Sequence, residues 1–265
     1  MSTVGFEYRN KNNETPFETF LRYTDEKEKS ATELAKIFQD ELDGAAHVLD
    51  IGTGNGEYLD IALSKVDEEK LHNVNLTLLE PSGDLASRIE QRFAKRLTQS
   101  SLEVVISELQ DFKRDDTFDV ILMSHLFYHL PRKTWTEHLT KALTMLKDKG
   151  ILIIVLREKD DAYDFKMAFK PLLFDASFKA LTIDDVLEAL PKKLTLQVEK
   201  KSSLSKLRIP FKTNLEDTVS IIEFYLNKEW GDIPSEIQQS SLGFIKQKGG
   251  VFNQVDGIAV IRKVA

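Results

Sequence analysis

The sequence predicts an α/β protein with a doubly wound, seven-stranded, mostly parallel and Rossmann-like sheet. Two observations support this fold class. Short apolar segments alternate with amphipathic helical patterns over residues 45–156, and a glycine-rich turn follows the first apolar segment. Alternation of strand and helix favours parallel pairing. Such sheets bind ligands outside the carboxyl ends of their strands, so the site is expected at that edge.

Five apolar segments carry the strand prediction, because their length and β-branched content suit strands buried on both faces. They are AAHVLDI (45–51), VNLTLLE (74–80), LEVVI (102–106), FDVILMSH (118–125) and GILIIVL (150–156). Helical periodicity lies between them in GEYLDIALSKV, in DLASRIEQRFAKRL, which ends at Leu97, and in RKTWTEHLTKALTMLKDKG, which we expect to remain helical up to Gly150.

The two ends of the chain predict additions to this core. Residues 15–44 predict one or two helices, with Thr24 as an N-cap. Beyond residue 157, helical patterns alternate with strand patterns in LTLQVEKKSSL and in the closing GGVFNQVDGIAVIRK. We therefore expect three regions: an N-terminal helical cap (1–44), a cofactor-binding α/β core (45–157), and the rest of the sheet with a helical, substrate-side cover (158–265).

Composition excludes several classes of protein. The net charge of −7 disfavours a nucleic-acid partner, because such proteins usually carry a basic face. The absence of cysteine removes disulfides, thiolate nucleophiles and cysteine metal sites. No segment approaches the roughly 20 apolar residues of a membrane span, and the first residues lack an apolar signal core. We expect a cytoplasmic monomer without a membrane or nucleic-acid partner.

The segment VLDIGTGNGEYLD (48–60) places glycines at Gly52, Gly54 and Gly56, between the first strand and the following helix. A dinucleotide fingerprint has the spacing G-x-G-x-x-G, whereas this spacing is G-x-G-x-G with Glu57 next. A charged side chain there suits a ligand without phosphates, such as S-adenosylmethionine, better than a pyrophosphate at the helix N-terminus. The alternative is a turn that only joins strand to helix.

The second strand ends in LTLLEPSG, with Glu80 at its tip. A carboxylate in this place can accept hydrogen bonds from both hydroxyls of a ribose. The alternative is a solvated acid at the end of a strand. After the third strand, Ser107 and Glu108 lie where the edge of an adenine ring would be expected.

Three segments, VLDIGTGNGEY, LLEPSG and FDVILMSHLFYHL, together resemble the class I S-adenosylmethionine-dependent methyltransferases over roughly residues 45–156. More specifically, the whole chain resembles the histamine N-methyltransferase family, through PFETFLRYTDE near the start, EPSGDLASR, LFYHL, ILIIVL and VFNQVDGIAVI near the end. The resemblance implies the class I methyltransferase fold, S-adenosylmethionine as cofactor, and a small-molecule acceptor.

The resemblance also implies roles for individual residues. Those expected to hold the cofactor are Gly52, Gly54, Glu80 and Ser82, with Ser124 beside its methionine part. Glu26 takes the position of the carboxylate that binds the cationic amine of the acceptor. A first-turn carboxylate is also stabilised by the positive end of a helix, so a purely structural role is the alternative for Glu26.

The chain departs from the family at the ring of the acceptor. His125 stands where the family has a glutamine after the fourth strand, and Gln254 is the nearest match to an asparagine in the last strand. The aromatic pair that follows the fourth strand becomes Tyr128 and His129. Changing both hydrogen-bonding partners predicts altered recognition of the acceptor.

The predicted acceptor pocket has an anionic end at Glu26 and polar contacts from His125 and Gln254. Its walls are expected to come from Phe17, Phe20, Tyr23, Tyr128 and His129. Aromatic faces suit a cationic or planar guest. The alternative is that these aromatics join the N-terminal helix to the sheet.

A nitrogen nucleophile must be neutral to attack the methyl group, so His125 is a candidate base, with an ordinary pKa near ~6.5. Its alternative roles are hydrogen-bond partner of the acceptor or packing against the cofactor. No metal is expected, because the histidines lack ligand spacing on one helix face.

We therefore expect an enzyme that transfers a methyl group to nitrogen of a small cationic amine or imidazole compound. The alternatives are an O- or N-methyltransferase of another metabolite or of a peptide or protein, and a non-catalytic S-adenosylmethionine-binding protein.

Overall fold

The structure is a computed structural model that describes residues 13–42, 45–93, 101–114 and 117–264. The chain divides into two compact units, which interleave along the sequence. Within the described residues, the first unit comprises 13–27, Arg157–Thr182 and Leu204–Val255. The second unit comprises Glu28–Leu156, Ile183–Ser203 and the residues from Asp256 onward, with the same gaps.

Seven strands form one sheet in the order β3-β2-β1-β4-β5-β7-β6. They are β1 His47–Ile51, β2 Asn75–Leu79, β3 Leu102–Val105, β4 Phe118–Ser124, β5 Leu146–Arg157, β6 Leu196–Arg208 and β7 Val251–Lys263. The first five strands pair in parallel. The structure thus confirms the predicted seven-stranded, mostly parallel sheet, and the closing strand predicted from GGVFNQVDGIAVIRK is β7, beside β5.

Strands β6 and β7 run antiparallel, which makes the sheet mixed. At one end of the pair, the Ile209 N–H donates a hydrogen bond to the Gly250 carbonyl over 2.8 Å. At the other end, the Val264 N–H donates to the Thr195 carbonyl over 2.9 Å. The start of β7 therefore lies beside the end of β6, as an antiparallel register requires.

Ten α-helices lie among the described residues. They are α1 Pro16–Tyr23, α2 Glu26–Glu41, α3 Glu57–Leu63, α4 Glu68–Leu71, α5 Gly83–Phe93, α6 Trp135–Thr144, α7 Asp161–Leu173, α8 Ile183–Leu187, α9 Leu215–Leu226 and α10 Ser235–Gln247. Helix α1 begins with a complete capping box, in which the Thr15 side chain accepts from the Glu18 N–H and the Glu18 carboxylate accepts from the Thr15 N–H. None of the ten has the length and hydropathy of a membrane-spanning helix.

The prediction that the helix after β4 continues to Gly150 is wrong. Helix α6 ends at Thr144, and β5 already begins at Leu146. Gly150 lies within β5. A Cβ atom at this position would lie 2.8 Å from the Phe118 carbonyl oxygen of β4, which explains why the residue is a glycine. The glycine allows close approach of neighbouring strands and does not end the helix. Helix α5 is described as far as Phe93, and Leu97 lies outside the described residues.

Each unit has its own hydrophobic core. In the second unit both faces of the parallel strands are buried, as the continuous apolar segments predict: Val48 and Ile153 lie in a core on one face, and Leu49 and Leu152 are buried on the other. The core of the first unit is aromatic, and the Phe165 ring lies 5.7 Å from that of Phe252, centre to centre. A solid aromatic core keeps the polar side chains of this unit in fixed positions.

Candidate active site

The glycine turn after β1 contains three residues with positive φ: Gly52 at +72°, Gly54 at +63° and Gly56 at +74°. A Cβ atom at Gly52 would lie 2.7 Å from Leu126 Cδ1, and one at Gly56 would lie 2.9 Å from a Phe93 ring carbon. A Cβ atom at Gly54 would meet no heavy atom within 4 Å. The first and third glycines are therefore required by packing, whereas the second lies against open space.

Glu80 follows β2 and is only 6% exposed. Its Oε2 accepts a hydrogen bond from the Gly54 N–H and its Oε1 accepts one from the Ser82 N–H, both over 2.9 Å. These two hydrogen bonds hold the carboxylate between the loop after β1 and the loop after β2. Each carboxylate oxygen can accept a further hydrogen bond, so the group can still bind a polyhydroxylated ligand.

A cavity of about 450 Å³ opens at the carboxyl ends of the parallel strands, and all of its wall belongs to the second unit. Its volume falls within the roughly 300–1,000 Å³ of small-molecule sites. Gly52 and Ser107 lie on the wall, together with Gln110, His129 and His138. Ser107 donates its hydroxyl hydrogen to the Glu108 carbonyl over 2.9 Å. The cavity thus lies at the edge of the sheet that the fold class predicts.

His125 follows directly after β4 and has a left-handed backbone, with φ 51° and ψ 14°. Its N–H donates to the Val155 carbonyl over 2.8 Å, which holds the backbone at the end of the sheet. Non-glycine residues in this conformation are uncommon and are concentrated at functional sites. Ser124, the last residue of β4, is partly buried next to it.

The His125 ring has an acidic and an aromatic neighbour. Its Nε2 lies 3.8 Å from Oδ2 of Asp256, a residue that is 1% exposed. The Tyr128 ring stacks on it at 6.0 Å between centres, and the Tyr58 ring meets it edge-on at 6.2 Å. A carboxylate beside an imidazole orients the ring. This arrangement can accept a proton from a ligand.

Burial shifts the pKa of two groups in the second unit. It raises the pKa of Asp50, at the end of β1, to about 7, with a smaller increase from the Glu80 charge that a hydrogen bond with Thr53 opposes. Burial also lowers the pKa of His129, against the opposing influence of Glu80. His129 lies on the cavity wall, where its side chain is exposed.

In the first unit, Glu26 begins α2, and its side chain is 12% exposed. It forms an ion pair with Arg157, whose guanidinium also donates to Asp160 over 2.8 Å. Arg157 is 7% exposed, so it lies between two carboxylates in a largely desolvated cluster. The sequence interpretation placed an acidic residue here without this counter-charge.

Gln254 is completely buried in the first unit. Its Oε1 accepts from the Thr24 hydroxyl over 2.5 Å, and its Nε2 donates to the Tyr225 hydroxyl over 3.0 Å. The Thr24 hydroxyl also accepts from the Glu26 N–H over 3.1 Å, although α2 begins at Glu26 and Thr24 is the C-cap of α1, one position before the N-cap of α2. Glu26 and Gln254 therefore belong to one connected polar network, which we call the polar cluster: Thr24, Glu26, Arg157, Asp160, Tyr225 and Gln254.

Phe17 lies outside that network. Its side chain is 50% exposed, and its ring centre lies 5.5 Å from that of Phe224 and 6.3 Å from that of Phe20. Phe20 is buried in the aromatic core of the first unit. The structure thus places part of the predicted aromatic wall in a core and leaves Phe17 accessible.

Sequence reasoning missed several polar residues near the predicted ones, among them Asp50, Arg157, Asp160 and Asp256. One signal was available for Asp256. Buried residues alternate along β7, and Phe252, Gln254 and Asp256 are all buried at every second position. A polar residue on the buried face of a strand indicates a hydrogen-bonding or functional role.

Comparison with protein families assigns the chain to a family. A family profile described as "Methyltransferase domain" matches residues 20–189. The chain belongs to this methyltransferase family. It is an S-adenosylmethionine-dependent methyltransferase of class I, and S-adenosylmethionine is its cofactor. A comparison with curated protein sequences gives no significant match.

Solved structures share the fold of this methyltransferase. The cyclopropane synthase MmaA2 from Mycobacterium tuberculosis is 16% identical, with a TM-score of 0.52, and the match covers 87% of this chain and 83% of that one. The mycolic acid cyclopropane synthase CmaA1, complexed with SAH and CTAB, is 16% identical with a TM-score of 0.53, over 88% and 83%. The YcgJ protein from Bacillus subtilis is 14% identical with a TM-score of 0.54, over 89% and 99%.

Proposed function

We propose that this methyltransferase transfers the methyl group to nitrogen of a small cationic amine or imidazole compound, as histamine N-methyltransferases do. The observation that carries the proposal is the burial of Glu26 in a cluster with one other carboxylate, that of Asp160, and the guanidinium of Arg157. The acidic residue that the family resemblance assigns to the acceptor amine is therefore neither an exposed nor an isolated helix-capping acid.

The cofactor residues of the proposal come from the second unit. The residues that would hold S-adenosylmethionine are Gly52, Gly54, Glu80, Ser82, Ser107 and Ser124. The fit is supported by the open space at Gly54, the orientation of the Glu80 carboxylate by two N–H donors, and the cavity beside them. Glu80 would accept the ribose hydroxyls, and Ser107 would face the adenine.

The charge of the polar cluster supports a cationic acceptor. Glu26 and Asp160 carry two negative charges, and Arg157 between them carries one positive charge. One negative charge remains among these three buried or nearly buried groups. Low exposure to water strengthens the attraction between these carboxylates and a cation, so a cationic ligand that reaches them gains affinity.

When bound, S-adenosylmethionine supplies a sulfonium methyl group to a nucleophile held in line with it. Residues of this chain must position the acceptor nitrogen and keep it neutral, and His125 beside Asp256 suits the removal of its proton. Tyr128 stacks on the His125 ring and would present an aromatic face to the acceptor, with Phe17 as a second wall. Gln254 would support Glu26 through Thr24.

The proposal also assigns regions of the chain to tasks. The α/β core (45–157) binds the cofactor. The N-terminal helices (1–44) and the helical part of 158–265 supply the acceptor side, which contains Glu26 and Gln254. Substitutions among the cofactor residues should therefore change chiefly the KM for S-adenosylmethionine, and substitutions of Glu26 or Gln254 should change chiefly the KM for the acceptor.

An acceptor screen tests this function. Purified protein with S-adenosylmethionine should methylate small amines and imidazoles, and should prefer them over neutral hydroxyl compounds. Glu26→Gln should raise KM chiefly for cationic acceptors, and His125→Ala should lower kcat. Glu28→Gln, on an exposed position of the same helix, and His72→Ala, also exposed, are the matched controls. Preferred turnover of hydroxyl acceptors, or an unchanged KM in Glu26→Gln, would refute the cationic acceptor.

A further inference from the structure

The glycine turn after β1 is held on one side by the end of β2. The Gly52 N–H and the Thr53 N–H both donate to the Leu79 carbonyl, over 2.8 Å and 3.2 Å. The Gly54 N–H donates to the Glu80 carboxylate over 2.9 Å. The first half of the turn therefore takes its geometry from the neighbouring strand, whereas the second half, 55–56, contacts a different element.

That element is the C-terminal end of α5, which belongs to the same unit. Arg92, in the last turn of the helix, donates a hydrogen bond from its Nε to the Asn55 carbonyl over 3.1 Å. Its Nη1 lies 3.5 Å from Oδ2 of Asp60, in α3. The next residue, Phe93, is fully buried, and a Cβ atom at Gly56 would lie 2.9 Å from its ring. Arg92 therefore connects the turn with the helix that follows it.

The turn needs a support of this kind because of its glycines. Asn55 stands between Gly54 and Gly56, whose φ angles are +63° and +74°. Glycine adopts positive and negative φ about equally well, so the local sequence does not fix the orientation of the peptide between Asn55 and Gly56. A hydrogen bond from a charged donor to the Asn55 carbonyl fixes that orientation, and such bonds are stronger than those between neutral groups.

The two contacts of Arg92 suit a guanidinium better than any other side chain. Its planar fork presents N–H groups in fixed directions, so one can donate to a carbonyl while another pairs with a carboxylate. The side chain is 32% exposed, which limits the competition from water for both contacts. A cation also suits the negative end of a helix, but that interaction would not require a hydrogen bond to Asn55.

We propose that Arg92 is a positioning residue for the cofactor, which holds the second half of the glycine turn in the conformation that binds S-adenosylmethionine. The inference rests on the proposed function, in that Gly54 belongs to the cofactor site. It goes beyond that function by assigning the shape of the turn to a side chain of α5. Arg92 acts through the turn and takes no part in the methyl transfer itself.

Loss of Arg92 should lower the fraction of molecules whose turn is ready to bind the cofactor. If about one tenth of the molecules have the binding conformation, the affinity falls about tenfold, because the apparent dissociation constant is the intrinsic one divided by that fraction. Bound cofactor selects the competent turn, so the complex itself should be nearly unchanged. The expected signature is a weaker affinity together with a turn that is loosened in the free protein alone.

Two measurements on Arg92→Met in the full-length protein test this signature. Calorimetry should show about tenfold weaker binding of S-adenosylhomocysteine than in wild type. Amide hydrogen exchange followed by NMR should be faster at Gly54 and Gly56 in the free protein, and should return to the wild-type rates on saturation with S-adenosylhomocysteine. The amides of β1 and β4 should exchange as in wild type, whereas a general loss of stability would accelerate them too.

Two further variants complete the test. Arg92→Lys keeps the charge but not the planar fork, so it should recover part of the lost affinity. Arg88→Met, at an exposed position one turn earlier in the same helix, is the matched control and should behave as wild type. Wild-type affinity in Arg92→Met would overturn the proposal. Weaker affinity with unchanged exchange at Gly54 and Gly56, or with faster exchange throughout the sheet, would overturn it as well.

Failure of this inference is distinguishable from failure of the proposed function. The test uses no acceptor, so its outcome does not depend on nitrogen transfer. If Gly54→Ala loses affinity for S-adenosylhomocysteine and Arg92→Met does not, the cofactor site is supported and the role of Arg92 is refuted. If Gly54→Ala binds as wild type does while the turn of Arg92→Met exchanges faster, the cofactor role of the turn is refuted, although Arg92 does hold its conformation.

Discussion

The glycine turn allows a sharp test of cofactor binding, because Gly54 has a structural counterpart elsewhere in the chain. Gly54 has φ +63° and Gly249, in the turn before β7, has φ +66°. A Cβ atom would meet no heavy atom within 4 Å at either position. Substitution by alanine therefore imposes the same backbone strain and no steric clash at both sites.

The magnitude of that strain follows from the left-handed conformation. An L-residue pays roughly 1–2 kcal/mol there, and the smaller entropy of the unfolded chain offsets part of it. Gly54→Ala and Gly249→Ala should each lower the free energy of unfolding by about 1 kcal/mol. In the proposed site the cofactor would approach the open side of Gly54. Only Gly54→Ala should therefore also lose cofactor affinity, by about 1.4 kcal/mol or more, which is tenfold.

Calorimetric titration with S-adenosylhomocysteine measures the affinity, and urea unfolding measures the stability of the same preparations. Gly54→Asn separates strain from steric exclusion, because asparagine tolerates the left-handed region and carries a larger side chain. It should unfold nearly as wild type does and still bind the cofactor poorly. Equal affinities for Gly54→Ala and Gly249→Ala would refute the reasoning, and would leave Gly54 as a residue required only by the turn.

Two further predictions concern buried carboxylates of the second unit. Glu80→Gln should weaken S-adenosylhomocysteine binding by about 1.5–3 kcal/mol in the same titration, because the amide NH₂ would face a backbone N–H that now donates to the carboxylate. Unchanged affinity would exclude Glu80 from the site. The pKa of Asp50 is raised to about 7, so its contribution to stability is fully present below pH 4 and is lost as the pH rises through 7. Asp50→Asn cannot ionise, so its free energy of unfolding relative to wild type should rise by up to about 4 kcal/mol between pH 4 and 8, as measured by urea unfolding. Asp40→Asn, on an exposed position, is the control, and a pH-independent gain would contradict the shift.

The parts of the fold that could be predicted are those that local sequence specifies. Apolar segments define β1 to β5 because strands buried on both faces contain few polar residues. The end of α6 could not be predicted, because the reason for Gly150 is its 2.8 Å approach to the Phe118 carbonyl on the neighbouring strand. Glycine patterns alone do not distinguish a helix stop from a close contact between strands.

The candidate site also has a part that local sequence specifies and a part that it does not. Gly54, Glu80 and Ser82 are within 30 positions of one another, and their geometry follows from the first two strand-to-helix turns. The sequence therefore placed these three residues together, and their role in cofactor binding stays a prediction. The left-handed backbone of His125 could not be predicted in this way, because a histidine has no strong preference for it and the hydrogen bond to Val155 comes from another strand.

The ion pair of Glu26 shows why charge is harder to infer from sequence than position. Its partner Arg157 lies 131 positions away, at the end of β5, and only the folded chain brings the two together. A helix-initiating carboxylate alone suggests a site for one cation. Once Arg157 is included, the Glu26 carboxylate already has a counter-charge, which it shares with Asp160. Under the proposed function, a cationic acceptor would therefore compete with Arg157 for the Glu26 carboxylate, and only the folded chain reveals that competition.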